Sequence, residues 1–238
     1  MKNLGIAILL LLFSGNLFSQ GQIFGLKGGL TVGLQKWDAF ERDPLFQYHG
    51  ALSIESIEEG RNSALWGEIG YHIKGSALRS RPFVDINGNT YRPTTQEFQF
   101  RNISFIIGAK QLLGQEGAPS RVYYRFGIRG DYTVSTNLDQ FDQSINLSFP
   151  RDDFVNKLNY GLTIGGGVEF RISDLVAGIV ELNVSPDISK QYDQPAINNI
   201  PSPYVFGQTI NIRQRKITNT VVELSLGILL WRKIEYID

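Results

Sequence analysis

The sequence contains no cysteine, which excludes a disulfide framework, a cysteine metal site and the thiol on which a bacterial lipoprotein is acylated. Its only histidines, His49 and His72, do not form a metal-binding run such as H-E-x-x-H. Lysine and arginine (23) balance aspartate and glutamate (23), so no charge excess points to nucleic acid. We therefore expect no lipid anchor, no metal, no cofactor and no nucleic-acid partner.

The longest continuous apolar stretch is at the N-terminus, where Lys2 precedes an unbroken run from Leu4 to Phe13. This pattern is typical of a secretory signal peptide, and the run is too short to be a spanning helix, which needs about 20 residues. Small residues allow cleavage after Gly21 or after Ser19. We expect a signal peptide over 1–21 and a single exported domain over 22–238.

Beyond residue 21 the sequence alternates instead of forming long apolar runs, so a membrane protein of this kind must cross with strands. Within 22–35 the even positions from 24 to 34 are apolar or glycine, whereas odd positions include Lys27 and Thr31. The same period of two recurs over 46–55, 65–74, 103–110, 122–133, 157–170, 176–184 and 219–230. We predict an all-β fold, a closed up-and-down antiparallel transmembrane β-barrel of about eight strands.

The connections alternate in length, as an outer-membrane barrel requires. Short connections span 58–62, 114–120 and 171–174, and longer ones span 36–44, 76–97, 135–153 and 186–215. We expect the short turns in the periplasm and the long loops outside. Phe98 and Phe100 break phase with Ile103, and a bulge near Arg101 or Asn102 would restore it.

Alternation does not say which face points outward, because a soluble lipocalin-like barrel has its apolar face inside. The polar faces here hold few charges each, and they are diluted by small residues: Gly29, Gly33, Ala51, Gly127, Gly161, Gly165 and Gly167. Such a face suits the narrow lumen of an eight-stranded barrel. Aromatic residues at strand ends (Trp37, Phe46 and Tyr132 at one end, Phe170 and Trp231 at the other) resemble interfacial girdles. We predict an outer-membrane location with the apolar face against lipid.

Three glycine-rich stretches, 25–30, 70–75 and 161–170, resemble the PorT-like outer-membrane β-barrel proteins. The resemblance covers the whole mature chain and rests on strand patterns of moderate specificity. It implies an outer-membrane barrel without catalytic residues. Some members of that family are accessory parts of the type IX protein secretion machinery, whereas many others have no assigned role.

Inward polar faces would bring opposite charges together in the lumen. The expected charge network comprises Lys27, Glu55, Glu68, Lys74, Lys110, Arg125, Arg129, Asp131, Lys157, Glu169, Glu181 and Glu223. Buried ions must be paired, so a salt-bridged plug is the favoured interpretation, and a proton or ion path is the alternative.

Other chemistry is less well supported. His72, Ser76 and Asp131 supply the residue types of a lipid-modifying enzyme, but no fixed spacing joins them. Gly165, Gly166 and Gly167 lie inside an alternating strand and lack the following Lys-Ser or Lys-Thr of a nucleotide loop.

The last long loop combines prolines with aromatic and basic residues, among them Tyr192, Tyr204, Phe206, Arg213 and Arg215. It is a candidate partner-binding surface, with a self-packed cap over the barrel mouth and contact of the basic residues with lipopolysaccharide as alternatives. We expect a non-enzymatic subunit or scaffold of an envelope assembly, with protein secretion as one such assembly. Its expected partners are outer-membrane lipid and other envelope proteins. A small-ligand barrel and a lipid-modifying enzyme remain the other hypotheses.

Overall fold

The computed structural model describes residues 21–37, 41–57, 62–79, 82–84, 87–91, 94–115, 117–141, 150–202 and 205–232. The expected signal peptide, apart from Gly21, lies outside these residues. Among the described residues no helix is both long and apolar enough to cross a membrane.

Eight long antiparallel strands form one closed sheet. They are β1 (Gly21–Trp37), β2 (Asp43–Ile57), β3 (Ser63–Leu78), β6 (Gln96–Leu113), β7 (Ser120–Thr136), β8 (Leu158–Arg171), β9 (Val176–Pro186) and β13 (Arg215–Arg232). Each pairs with the next in chain order, and β1 pairs with β13 from Gln22↔Arg232 to Trp37↔Ile217. The predicted up-and-down barrel is therefore confirmed.

The apolar faces point outward and the polar faces point into the lumen. Leu30, Leu52, Ile128 and Leu226 on the outer face are all more than half exposed. On the lumen face the charged Lys27 is only 5% exposed, whereas its apolar neighbour in sequence, Leu26, is exposed on the outer face. This arrangement is the reverse of a soluble barrel and confirms the predicted orientation of the faces.

Small residues on the lumen face make room for large ones. A Cβ atom at Gly127 would lie 3.0 Å from the ring of Trp66 and 2.9 Å from Ile106. At Gly29 a Cβ would lie 1.9 Å from the backbone oxygen of Leu224, so no side chain fits there. The lumen is crowded, as the glycine pattern predicts.

Most connections follow the predicted alternation between a turn side and a loop side of the barrel. The turn side joins β2 to β3, β6 to β7 and β8 to β9 through a few residues each. Three connections on the loop side are long, with 17 to 28 residues between barrel strands, but the first, between Trp37 and Asp43, is as short as the turns, although 36–44 was expected to be one of the longer loops. The prediction of a long first loop is therefore wrong.

Shorter elements lie in the connections on the loop side of the barrel. They are strands β4 (Phe83–Val84), β5 (Thr90–Tyr91), β10 (Tyr192–Gln194), β11 (Ile197–Pro201) and β12 (Thr209–Ile212), and 3-10 turns at Leu138–Phe141 and Asp152–Phe154. β10 extends the barrel sheet by pairing with the start of β13, and β11 pairs with β12 as a separate hairpin.

The fourth barrel strand keeps its phase without an inserted residue. Phe98, Phe100 and Asn102 all face the lumen and are completely buried. The register between β6 and β7 does shift at Arg101 and Asn102, but the residue left over, Val134, lies on β7. The break in pattern therefore marks apolar residues that face inward.

Candidate functional site

The middle of the lumen holds a tight cluster of four charges. Lys27 Nζ lies 2.7 Å from both Glu68 Oε2 and Glu181 Oε1. Arg125 reaches the same two carboxylates at 3.1 and 2.7 Å. Tyr123 donates its hydroxyl to Glu181 Oε2 at 2.7 Å. Two cations and two carboxylates thus neutralise each other, as buried ions require.

A second cluster lies towards the turn side. Lys110 Nζ lies 2.8 Å from Glu55 Oε2 and 3.3 Å from Glu169 Oε2. Arg121, which enters from the turn end of β7, lies 3.5 Å from Glu169 Oε1. Arg121 is missing from the predicted charge network, although it lies two residues from Tyr123 and therefore on the same face of β7.

A third cluster lies towards the loop side and depends on a residue that sequence reasoning missed. Lys74 Nζ contacts Asp131 at 2.5 Å and Asp187 at 2.8 Å. Arg129 contacts the same two carboxylates, with Nε 3.0 Å from Asp131. Asn219 donates to Asp187 at 2.9 Å. Because Asp187 follows Pro186, it was assigned to a loop, yet its side chain is completely buried.

Eleven of the twelve predicted network residues face the lumen, and one does not. Lys157 precedes β8 and is exposed at the loop end. Its placement in the lumen is wrong because β8 begins at Leu158, which leaves Lys157 above the wall.

The two histidines lie between the middle and loop-side clusters. His49 Nδ1 is 3.0 Å from the hydroxyl of Thr31, and its Nε2 is 2.8 Å from that of Ser225. His72 Nδ1 is 3.0 Å from Glu223 Oε1. Nearby, a small cavity has space for little more than one water molecule.

Of the residue types of a lipid-modifying site, His72 and Asp131 lie together, but Ser76 makes its hydrogen bond elsewhere. Ser76 donates its hydroxyl to Gln35 at 2.6 Å, and His72 faces Glu223 and Asp131 instead. The Ser225 hydroxyl does approach His49, but Ser225 is completely buried in mid-lumen, beyond the reach of a substrate. In the part of the chain that the structure describes, no acidic or histidine cluster is arranged to hold a metal ion.

Apolar residues close the lumen at its turn end. This turn plug consists of Ile23, Ile57, Ala64, Leu112, Tyr123, Ala177, Ile179 and Leu229, with Trp231 packed against it. Trp231 is therefore partly turned inward and is not an outward girdle residue.

A loop cap closes the opposite end. It consists of Trp37, Tyr192, Ile217, Phe98, Phe100 and Leu138, with Leu78, Phe141, Phe154 and Val155 packed against them. Arg42 lies over the ring of Trp37 at 4.0 Å, and burial lowers the Arg42 pKa to about 10. The predicted girdle position of Trp37 is wrong, since its side chain closes the mouth. Phe46, Tyr132 and Phe170 do lie outward.

An apolar exterior around a plugged, ion-paired interior leaves lipid as the only suitable surroundings for the wall, and closed barrels of this kind cross outer membranes. The chain is an outer-membrane β-barrel protein. Seven of its eight barrel strands have 14 to 18 residues, more than the 9 to 11 or so that span a bilayer, so the barrel extends beyond the membrane.

Comparison with known proteins gives only distant neighbours. No family model matches the sequence, and no curated protein matches it. The N-terminal β-barrel domain of Pseudomonas aeruginosa OprF is 11% identical, with a TM-score of 0.42, and 89% of this chain covers 100% of that one. Neisserial surface protein A is 10% identical (TM-score 0.42; 87% and 96% covered), and the Escherichia coli outer-membrane protease OmpT is 7% identical (TM-score 0.44; 90% and 98% covered). The fold assignment rests on the strand register of this chain itself.

The predicted partner-binding residues of the last loop separate into two groups. Tyr192 is completely buried in the loop cap, so its assignment to a binding surface is wrong, and burial raises its pKa. Tyr204 lies outside the described residues. Phe206 and Arg213 are exposed, and Arg215 is half-buried. The self-packed cap and the exposed surface are both present, on different parts of one loop.

The exposed part is the hairpin of β11 and β12, Ile197–Ile212, which we call the loop hairpin. It carries no charged residue from Pro195 to Ile212. At its tip Phe206 is fully exposed and Val205 is 47% exposed. Gly207, with φ of 82°, turns the chain behind them, and Ser202 donates its backbone N–H to Gln208 at 2.8 Å. An aromatic side chain is thus exposed near the tip of the loop hairpin.

Proposed function

We propose that this barrel is a non-enzymatic subunit or scaffold of an envelope assembly and that it binds a protein partner through the loop hairpin. The observation that carries the proposal is the filled lumen, closed by the turn plug and the loop cap around three ion-pair clusters. A wall that faces lipid and a lumen that the described residues fill with ion pairs and apolar clusters leave the ends of the barrel for recognition.

The loop hairpin has the chemistry of a protein contact. Exposed aromatic residues are enriched in protein interfaces, where they supply much of the binding energy. Phe206 has no packing partner among the apolar clusters of the described residues, and the 18 uncharged positions around it favour apolar contact over contact with phosphate. A two-stranded hairpin alone is only marginally stable, so a partner would also order it.

Site-specific photo-crosslinking in intact cells tests this proposal. A photoreactive phenylalanine analogue replaces Phe206, and a control places the same analogue at Ile172, a 61% exposed position in the turn between β8 and β9. We expect a protein adduct of defined mass from position 206 and none of that mass from position 172. Both variants must reach the outer membrane in equal amounts.

Two results would contradict the proposal. An adduct from position 172 alone would move recognition to the periplasmic turns. Adducts from neither position, combined with migration of the extracted barrel as a single chain, would remove the scaffold role altogether.

Membership of the type IX secretion machinery is the narrower form of the proposal, and it is supported by the resemblance to PorT-like proteins. It predicts that the adduct contains a component of that machinery and that deletion of this chain retains secreted cargo inside the cell. Normal cargo release from the deletion strain would contradict it and leave the scaffold role standing.

A further inference from the structure

His72 lies between two carboxylates deep in the barrel. Its Nδ1 is 3.0 Å from Glu223 Oε1, and its Nε2 is 3.6 Å from Asp131 Oδ1. The His72 side chain is 4% exposed, and that of Asp131 is completely buried. Ionised carboxylates only accept protons, whereas a neutral imidazole carries one N–H. Only the doubly protonated ring presents a proton to each side.

The charges of the lumen lead to the same result. Its ion-pair clusters contain six cations (Lys27, Lys74, Lys110, Arg121, Arg125 and Arg129) and six carboxylates (Glu55, Glu68, Asp131, Glu169, Asp187 and Glu181). Glu223 is a seventh carboxylate, and His72 is its only ion-pair partner among the described residues. With a neutral His72, the ion-pair clusters of the described residues together with Glu223 would hold one uncompensated negative charge, which is costly in a buried site.

His49 provides an internal contrast, because it is paired with His72 across β2 and β3 but faces different groups. Both of its ring nitrogens approach hydroxyls, those of Thr31 and Ser225. A hydroxyl donates or accepts, so a neutral His49 satisfies both contacts. Two positive rings side by side would also repel each other.

We propose that His72 is an imidazolium ion that neutralises Glu223. The charged and titratable groups that face it come from five strands: Lys27 on β1, His49 on β2, Glu68 and Lys74 on β3, Arg129 and Asp131 on β7, and Glu223 on β13. The doubly protonated ring stabilises the lumen by pairing with Glu223.

Nitrogen NMR of the histidine side chains in detergent micelles tests the protonation state directly. The His72→Gln and His49→Gln variants assign the two rings. At neutral pH we expect both nitrogens of His72 to have the chemical shifts of protonated nitrogens, and one nitrogen of His49 to have that of an unprotonated one. An unprotonated nitrogen in His72 at neutral pH would overturn the proposal.

Thermal unfolding of charge-matched variants tests the pairing in a second way. We expect His72→Gln to lower the unfolding midpoint by roughly 5 to 15 °C at neutral pH, because it leaves Glu223 unpaired. Adding Glu223→Gln should restore more than half of that loss, whereas it should not restore the smaller loss caused by His49→Gln. Equal midpoints for His72→Gln and the double variant would overturn the proposal. If His72→Gln does not fold, the NMR of the unchanged protein still decides.

Discussion

Removing Lys27 tests whether the lumen charges stabilise the barrel as one unit. Lys27 is 5% exposed and contacts two carboxylates at 2.7 Å, so the Lys27→Met variant keeps the bulk of the side chain but leaves Glu68 and Glu181 with Arg125 alone. Loss of one partner from a buried ion pair costs about 3 to 5 kcal/mol, because the remaining charge stays buried. We expect the free energy of unfolding to fall by an amount in this range.

Arg171→Met is the matched control, since it removes one positive charge and inserts the same side chain. The Arg171 side chain is 50% exposed at the turn end of β8 and lies 2.6 Å from Asp174, whose side chain is 93% exposed. A surface pair of this kind is worth about 1 kcal/mol or less. The two variants should therefore differ by at least about 2 kcal/mol.

Urea unfolding in lipid vesicles, followed by tryptophan fluorescence and by the gel shift of the folded barrel, measures this difference. Folding and unfolding curves must coincide for the free energies to be valid. If Lys27→Met proves as stable as Arg171→Met, the lumen charges are solvated and the account of a dry, paired interior is refuted.

Four further results are expected. Leu30→Arg, in the middle of β1 and 63% exposed, should cost about 2 to 4 kcal/mol in vesicles but little in a soluble barrel, and an unchanged stability would count against the lipid-facing wall. Gly29→Ala should prevent closure of β1 on β13, because its Cβ would lie 1.9 Å from the backbone oxygen of Leu224. Gly130→Ala is the control, since its Cβ would have no neighbouring atom within 4 Å, and it should fold normally. Refolding yields measure the difference. Burial raises the Tyr192 pKa, so the neutral phenol stabilises the loop cap below about pH 10, and this contribution is lost at higher pH. In unfolding curves measured against pH, Tyr192→Phe should remove that alkaline sensitivity. N-terminal sequencing of the exported protein should begin at Gln22 or Gln20, and an uncleaved Met1 would contradict the signal peptide.

Position parity explains why most of the wall was predictable. A side-chain period of two assigns each residue to lipid or lumen without knowledge of its neighbours. The same alternation of side chains between lipid and lumen continues past the predicted ends of the strands. Asp187 continues the odd positions of Glu181 and Asn183, and Arg121 continues those of Tyr123 and Arg125. An alternation extended through Pro186 places Asp187 in the lumen, where it completes the third cluster with Lys74, Arg129 and Asp131.

The ends of the barrel were not predictable in the same way. Apolar residues such as Ile23, Phe98 and Ile217 face the lumen because they pack against the turn plug or the loop cap. These clusters join residues far apart in sequence, and a local pattern contains no information on such contacts. Trp37 was assigned to the lipid interface for the same reason, since a strand-end aromatic suits either a girdle or a cap.

The pairing of charges inside the wall also explains why this barrel adopts one register. A shift of one residue along β1 would turn Lys27 towards lipid and Leu26 towards Glu68 and Glu181, because neighbouring side chains point to opposite faces. Lysine in the bilayer midplane costs about 2 to 4 kcal/mol, and the abandoned carboxylates would add a further cost. With an apolar lumen the native and the shifted register would no longer differ in free energy in this way, since both faces of the strand would then suit lipid equally. The ion pairs therefore specify the register even where they add little to stability.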